Sequence, residues 1–384
     1  MNESTPTYEL LKKLFILKTV SFPLVSQVTP IALQAMNNLG LRFLSDAILR
    51  RTFFQHFCAG ENEDDVIKSI TRLKEQGMSV ILDFATENDR IEAVNIEEQL
   101  KNDRVQNEEV LDKLKVAILI ASRSDSNFVT LKLTSIISPL TLSIKARQID
   151  VPPIVQQEFQ RDTKRLSKLC EFALENKTRL MIDAEQSWYQ KSINEVALSL
   201  QKKYNKTECM IYNTYQMYLK RGFDDMKRDY ELSKRENFVF GVKLVRGAYI
   251  ESETVYANQK NLESPICRSY EETNVNFENA IDYLLSNKVH TVFATHNINS
   301  ITYVKSRIEP SNNLFSFAQL YGMSDSVSSS LTKEGFKVYK YVPYGPLEKV
   351  IPYLLRRTQE NSSIFNHTQA DVDSIWKELR KRFF

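Results

Sequence analysis

From residue 78 onward the chain alternates between two rhythms. Short runs rich in Val, Ile, Leu, Phe and Tyr give way to longer stretches in which apolar and charged positions mix. The runs are Ser79–Ala85, Phe128–Thr134, Arg179–Ala184, Met210–Tyr215, Val239–Val245, Thr291–Thr295, Leu314–Leu320 and Lys337–Val342. They are continuous rather than strictly alternating, the pattern of strands buried on both faces. Between them lie helical segments such as Val155–Asn176, Ile193–Lys202 and Glu272–Ser286. Eight β-then-α units predict an α/β protein, a (β/α)8 TIM-like barrel, with a doubly wound sheet as the second choice. Residues 1–77 read as an N-terminal helical extension, 78–365 as the barrel and 366–384 as a helical tail. Asn88–Ser126, rich in Glu, Asp, Lys and Asn, reads as an insertion.

Composition narrows the function. The 384 residues carry 51 Lys and Arg against 48 Asp and Glu, a net +3 with no dense basic block. That argues against nucleic-acid binding driven by phosphate neutralisation. Only nine residues are glycine, roughly a third of average usage. None stands in a GxGxxG or GxxxxGK[ST] arrangement, so neither a Rossmann nor a Walker loop is present. Cys58, Cys170, Cys209 and Cys267 are scattered without a CxxC, which predicts buried thiols in a reducing compartment. His56, His290, His296 and His367 offer no HExxH, and nothing asks for a metal. No apolar run approaches the ~18–20 residues needed to cross a bilayer. Between Leu10 and Ser45 stand Lys12, Lys13, Lys18 and Arg42 with no acidic residue. Two readings stay open there: a basic amphipathic surface for a membrane or partner, or, favoured on general grounds, a helix packed on the protein's own core. Glu3 and Glu9 make a poor transit peptide.

In a barrel the chemistry belongs at the C-terminal ends of the strands, and polar residues gather there. The eight ends carry Thr86-Glu87; Lys132; Asp183-Ala184-Glu185; Tyr215-Gln216; Lys243 to Arg246-Gly247-Ala248-Tyr249; Thr295-His296-Asn297; Gln319-Leu320-Tyr321-Gly322; and Tyr341 to Tyr344-Gly345. Lys132 lies inside an apolar run, so its charge must be paired or used. An ion pair with Asp183 or Glu185, an anion-binding charge and a Schiff-base lysine all remain open. Asp183 and Glu185, at i and i+2, should face one side, although a solvated strand end is the simpler reading. Tyr353, Arg356 and Arg357 share a helix face. Two guanidiniums beside a tyrosine suit a small carboxylate; the alternative is a solvated face with Arg356 paired to Glu360. Glu87 would meet Arg356 if strands one and eight are neighbours. Lys243, Arg246 and Gly247 make a basic strand end fit for a flavin edge or a diphosphate. Thr295 and His296 are candidate donors to a cofactor. Gly247, Gly322 and Gly345 are expected where backbone passes close to a ligand.

The runs LMIDAEQS, IYNTYQ, KLVRGAYIESE, FATHN, FAQLYGMSD and VYKYVPYGPLEKVIPYLLRRTQENSS, in that order, resemble the FAD-dependent proline dehydrogenase family over about residues 50–365. RTFFQHFCAGE and GMSVILDFATE are similar to its eukaryotic form. The resemblance implies a barrel with an additional helix over the active site. It also implies oxidation of L-proline to Δ1-pyrroline-5-carboxylate, with electrons passed to ubiquinone on the matrix side of the inner mitochondrial membrane. By resemblance Lys132, Arg356 and Arg357 bind the substrate carboxylate, and Tyr249, Leu320, Tyr341 and Tyr353 wall the ring. Asp183, Lys243 and Glu87 are implied to be catalytic, Glu87 as the gate partner of Arg356. Ala184, Gln216, Lys243, Arg246, Gly247, Ala248, Thr295 and His296 fall on FAD-contact positions. Bacterial members usually carry arginine where this chain has Lys243 and lysine where it has Arg246. Hydroxyproline dehydrogenases of the family carry serine where this chain has Tyr341, so the resemblance favours proline, with hydroxyproline as the alternative substrate. The twenty or so residues after the barrel leave no room for a second catalytic domain, and a monofunctional enzyme is expected.

Overall fold

The computed structural model describes residues 6–20, 35–36, 38–85, 95–123, 127–147, 150–351, 353–355 and 365–383. Eight parallel strands close a barrel in sequence order: β1 Ser79–Phe84, β2 Phe128–Leu131, β3 Arg179–Ile182, β4 Ile211–Gln216, β5 Gly241–Val245, β6 His290–Ala294, β7 Phe315–Leu320 and β8 Val338–Tyr344. Every expected run is a strand, with ends shifted by up to three residues. The doubly wound alternative falls because Ser79 to Phe84 pair in register with Tyr339 to Tyr344, joining first strand to last.

The continuous apolar character of the strands has a simple cause. One face, including Val80, Leu82, Val129, Leu180, Val242, Phe293 and Phe317, packs outward on the helices. The other face, including Ile81, Phe128, Met181, Tyr212, Val292, Ala318 and Tyr339, fills the barrel interior. Both faces are dry, so neither rhythm of polar residues appears. The floor of the barrel is therefore a plug of side chains rather than a pore.

Two expectations change. β2 stops at Leu131 and the chain turns into a 3-10 segment, Leu133–Ser135, so Lys132 sits just past the strand. The supposed insertion contains a 26-residue helix, Ile96–Ala121, whose first turn is capped by the Asn95 side chain accepting from the amides of Glu97 and Glu98. Leu100, Val110, Leu114, Ala117, Ile118 and Ala121 are buried on it, and most of these join the outer core beside β1 and β2. It is the barrel's first helix. Its charged residues hid that role.

Helix Thr7–Val20 packs Leu10, Leu14 and Leu17 on Val372, Ile375 and Leu379 of helix Phe365–Phe383. The core-packing reading of the basic N-terminal stretch thus holds for one face. Tyr8, Leu11 and Phe15 are exposed on that same helix. All four cysteines are buried and unbridged. No helix among the described residues is long and apolar enough to cross a membrane.

Candidate active site

The inner face of the strands continues past the apolar plug into polar side chains. Asp83 stands two residues beyond Ile81, Thr130 two beyond Phe128, Asp183 two beyond Met181 and Tyr341 two beyond Tyr339. The period of two that placed the plug thus places a polar layer above it, toward the C-terminal mouth. Lys132 and Lys243 complete that layer, 7 % and 5 % exposed.

These side chains form one network. The Lys132 ammonium donates to Asp83 Oδ1 at 2.8 Å and to the Tyr341 hydroxyl at 3.2 Å, and lies 3.6 Å from Asp183 Oδ2. The Lys243 ammonium hydrogen-bonds Asp183 Oδ1. Tyr341 donates to Asp183 Oδ2 at 2.7 Å, and Thr130 Oγ1 donates to Asp83 Oδ1 at 3.0 Å. Two ammoniums face two carboxylates, so the layer is neutral overall. Burial works against the Asp183 charge, but the Lys243 and Lys132 ammoniums, with hydrogen bonds from Lys243 and Tyr341, hold its carboxyl below the ordinary range. Burial, reinforced by Asp183 and Asp83, pushes the Tyr341 phenol well up, so it stays a donor at neutral pH.

The network settles some of the alternatives. Among the described residues the closest carboxylate to Lys132 is Asp83, with Asp183 second. Asp183 and Glu185 lie beyond the end of β3 and take different partners. Glu185 is buried and accepts from the Thr134 amide at 3.1 Å and from the Thr134 hydroxyl. Neither is a solvated strand end.

Other candidates ring the same mouth. Gln216 donates to the Glu185 carbonyl at 2.9 Å. The His296 ring sits between Ser324 Oγ, 2.9 Å from Nδ1, and the Leu320 amide, which donates to Nε2 at 3.4 Å. That pair of contacts assigns the proton to Nδ1. Thr295 is buried and accepts from the Asn297 amide. Arg246, just past β5, is stacked 4.6 Å over Tyr270 and hydrogen-bonded to Asn274 on the helix Tyr270–Ser286. Ala184 is buried, Ala248 is exposed, and Tyr249 and Leu320 are intermediate. Tyr353 is buried in a helical segment, residues 347–351 and 353–355, that follows β8. Glu87, Arg356 and Arg357 lie outside the described residues.

The three glycines also have close neighbours within the protein. Gly247 has φ +140°, and a Cβ there would lie 1.6 Å from the Tyr218 ring; at Gly322, φ +76°, it would lie 2.3 Å from the His56 carbonyl oxygen. At Gly345 the nearest atom is the Phe84 ring. Each makes room for the protein itself.

Asp83 was not singled out in the sequence. The signal was there: one acidic residue in the run SVILDF, the same anomaly that marks Lys132 in FVTLKL.

The proline dehydrogenase family profile matches residues 66–370. The chain is 38 % identical over 261 residues to "Proline dehydrogenase 1, mitochondrial" of Caenorhabditis elegans, covering 63 % of this chain and 42 % of that protein. It is 28 % identical to the "Hydroxyproline dehydrogenase" of Xenopus laevis over 98 % of this chain and 88 % of that one. The chain therefore spans less than half of the Caenorhabditis elegans relative. Among solved structures, proline utilization A from Bdellovibrio bacteriovorus inactivated by N-propargylglycine superposes with a TM-score of 0.71 at 19 % identity, over 94 % of this chain and 37 % of that one, which is a likeness of fold. With a match across most of its length and a closed eight-stranded barrel, this chain belongs to the proline dehydrogenase family.

Proposed function

We propose that the chain oxidises L-proline to Δ1-pyrroline-5-carboxylate, using FAD as hydride acceptor and passing electrons to ubiquinone. The observation that carries this reading is the neutral network of Asp83, Lys132, Asp183, Lys243 and Tyr341 at the C-terminal mouth of a barrel of this family. Lys132, with Arg356 and Arg357, would fix the substrate carboxylate. Tyr249, Leu320, Tyr341 and Tyr353 would wall the ring and keep water from it. The substrate ammonium must lose a proton before hydride leaves the adjacent carbon, and the charges that Arg356 and Arg357 would add to the neutral network disfavour the ammonium form. Asp183 holds Lys243 and the Tyr341 hydroxyl in place, and Glu87 would gate the site through Arg356.

The residues present suit FAD. Arg246 is half-buried, and no carboxylate among the described residues pairs with it. Burial draws its guanidinium below its ordinary value. A partly desolvated cation with no carboxylate in ion-pair contact among the described residues, only the more distant charge of Glu278, fits a diphosphate or the electron-rich edge of a flavin. Ala184, Gln216, Lys243, Arg246, Gly247, Ala248, Thr295 and His296 would hold the group. The bound FAD supplies the two-electron acceptor. Purified protein should be yellow and bleach anaerobically on adding proline. A colourless protein trapped with its substrate by borohydride would instead mark a lyase using Lys132.

Tyr341 also bears on substrate choice. Its hydroxyl is committed to Asp183, and its ring occupies space that a 4-hydroxyl would need, leaving that hydroxyl unpaired. Proline is therefore the substrate over hydroxyproline. A higher kcat/KM for 4-hydroxyproline would overturn this.

As with the relative named mitochondrial, we place the protein in mitochondria, peripheral to the matrix face of the inner membrane. The exposed Tyr8, Leu11 and Phe15, at i, i+3 and i+7, with Lys12 and Lys18 nearby, support that contact. Deleting residues 1–45 should abolish flotation with anionic vesicles.

A further inference from the structure

Asp83 is the most buried ionisable group of the network, 2 % exposed, and its two oxygens are used unequally. Oδ1 accepts from both the Lys132 ammonium and the Thr130 hydroxyl. Oδ2 is buried, and nothing among the described residues donates to it. A carboxylate kept only for stability would be saturated with donors, because an empty buried acceptor is costly. The unequal use anchors one oxygen between β1 and β2, and that oxygen locates the Lys132 nitrogen.

The second carboxylate cannot do the same work. Asp183 Oδ2 is 3.6 Å from Lys132 and already receives the Tyr341 hydroxyl, while its Oδ1 is taken by Lys243. The charges therefore sort into two pairs, Asp83 with Lys132 and Asp183 with Lys243. Without Asp83 the Lys132 ammonium loses its shortest contact among the described residues and keeps the Tyr341 hydroxyl and the crowded Asp183. It would shift from the β1 side toward β3. Displacements on the order of 1 Å at a binding charge are enough to misplace a substrate.

Resting on the proline reading above, we propose that Asp83 is a positioning residue for the substrate carboxylate, acting through Lys132. It sets where the ammonium stands and keeps it charged in a dry site. The reacting carbon lies on the ring, so the effect belongs to carboxylate binding rather than to hydride transfer.

The test uses the full chain with its flavin. Asp83→Asn should raise KM for proline about ten-fold while kcat stays within about three-fold. It should weaken binding of cyclopentanecarboxylate by the same factor in calorimetry; that probe has the ring and the carboxylate but no amine. In a Lys132→Met background the same substitution should change KM by less than about two-fold. An unchanged affinity for the probe would overturn the proposal, and so would an undiminished effect without Lys132. Should Asp83→Asn not fold, Thr130→Val removes the other hydrogen bond to the same oxygen. It should raise KM and weaken the probe about three-fold, and no change in either would be equally fatal. If the wild-type protein fails to oxidise proline, the functional reading is lost. The calorimetric arm then still decides the role of Asp83.

Discussion

Two clusters of lysines and carboxylates are built into this molecule from the same residue types, and they serve different ends. One is the network at the barrel mouth. The other joins helix Thr7–Val20, β8, helix Asp325–Lys333 and helix Phe365–Phe383. There Lys340, 1 % exposed, donates to Asp325 Oδ1 at 2.8 Å and to the carbonyls of Met323 and Leu320. Lys13 pairs with the same Asp325, and Asp371 accepts from the amide and hydroxyl of Ser326. All three protons of Lys340 are used. The Asp325 side chain remains 35 % exposed, so water shares the cost of its charge. In the network at the mouth, Asp83, Lys132, Asp183 and Lys243 are each no more than 10 % exposed, and nothing among the described residues donates to Asp83 Oδ2. A saturated, partly wet cluster fastens helices to a barrel. A dry one with unequal contacts holds charges ready for a ligand.

That contrast can be broken by substitution. Lys132→Met should lower kcat/KM for proline more than about 100-fold, since truncating a buried charge pair that meets substrate costs about 2–5 kcal/mol. Because its pair with Asp83 is dry on both sides, the variant should also lose stability, by more than Lys340→Met does. A kcat/KM no lower than that of Lys340→Met would move Lys132 into the structural class. Lys340→Met should spare activity while costing about 2–3 kcal/mol of stability, below the figure for a fully buried pair because Asp325 is partly wet. KM for proline should hold within about two-fold. Thermal melts and steady-state kinetics on the two variants together decide the matter.

A smaller effect reads the helix-fastening cluster by pH. Burial opposes the Asp325 charge, but Lys13 and Lys340 hold its carboxyl far below the usual range. Its folded value lies below the unfolded value of about 3.9. Its contribution is thus complete above that pH and is lost as pH falls through it toward the folded value. Melts from pH 6 down to pH 3 should steepen at the acid end, and Asp325→Asn should flatten that portion. The smallest effect expected is Tyr341→Phe. Removing the 2.7 Å hydrogen bond to Asp183 is worth about 1 kcal/mol. That is about a five-fold loss in kcat/KM for proline, without a gain for hydroxyproline.

The strands were legible because both faces are apolar over four to seven residues, a pattern that needs no tertiary knowledge. The helix Ile96–Ala121 was not, because Glu97, Glu98, Lys101, Glu108 and Glu109 crowd its first half while its buried stripe is dense only after Val110. At the site, Lys132 was conspicuous as one charge in an apolar run. Asp83 carries the same mark in β1 and was passed over. Its partner could be named only once β1 and β2 were placed side by side. Lys340 sits among aromatic residues in a run that reads as an ordinary strand, and two of its three acceptors are carbonyls, which leave no trace in sequence. What the glycines face within the protein, the rings of Tyr218 and Phe84 and the backbone of His56, was not legible, because those neighbours are remote in sequence.

The pairing of β1 with β8 governs the order in which the molecule is made. Tyr341 is 209 residues from Lys132 and 158 from Asp183 along the chain. A growing polypeptide therefore exposes the open edge of β1 through most of its synthesis, waiting for the last strand. Loop closure over such distances is slow and leaves pairing edges unprotected meanwhile. Catalytic competence and completion of the ring arrive in one event. A chain cut anywhere before β8 should be an aggregation hazard rather than a weakened enzyme.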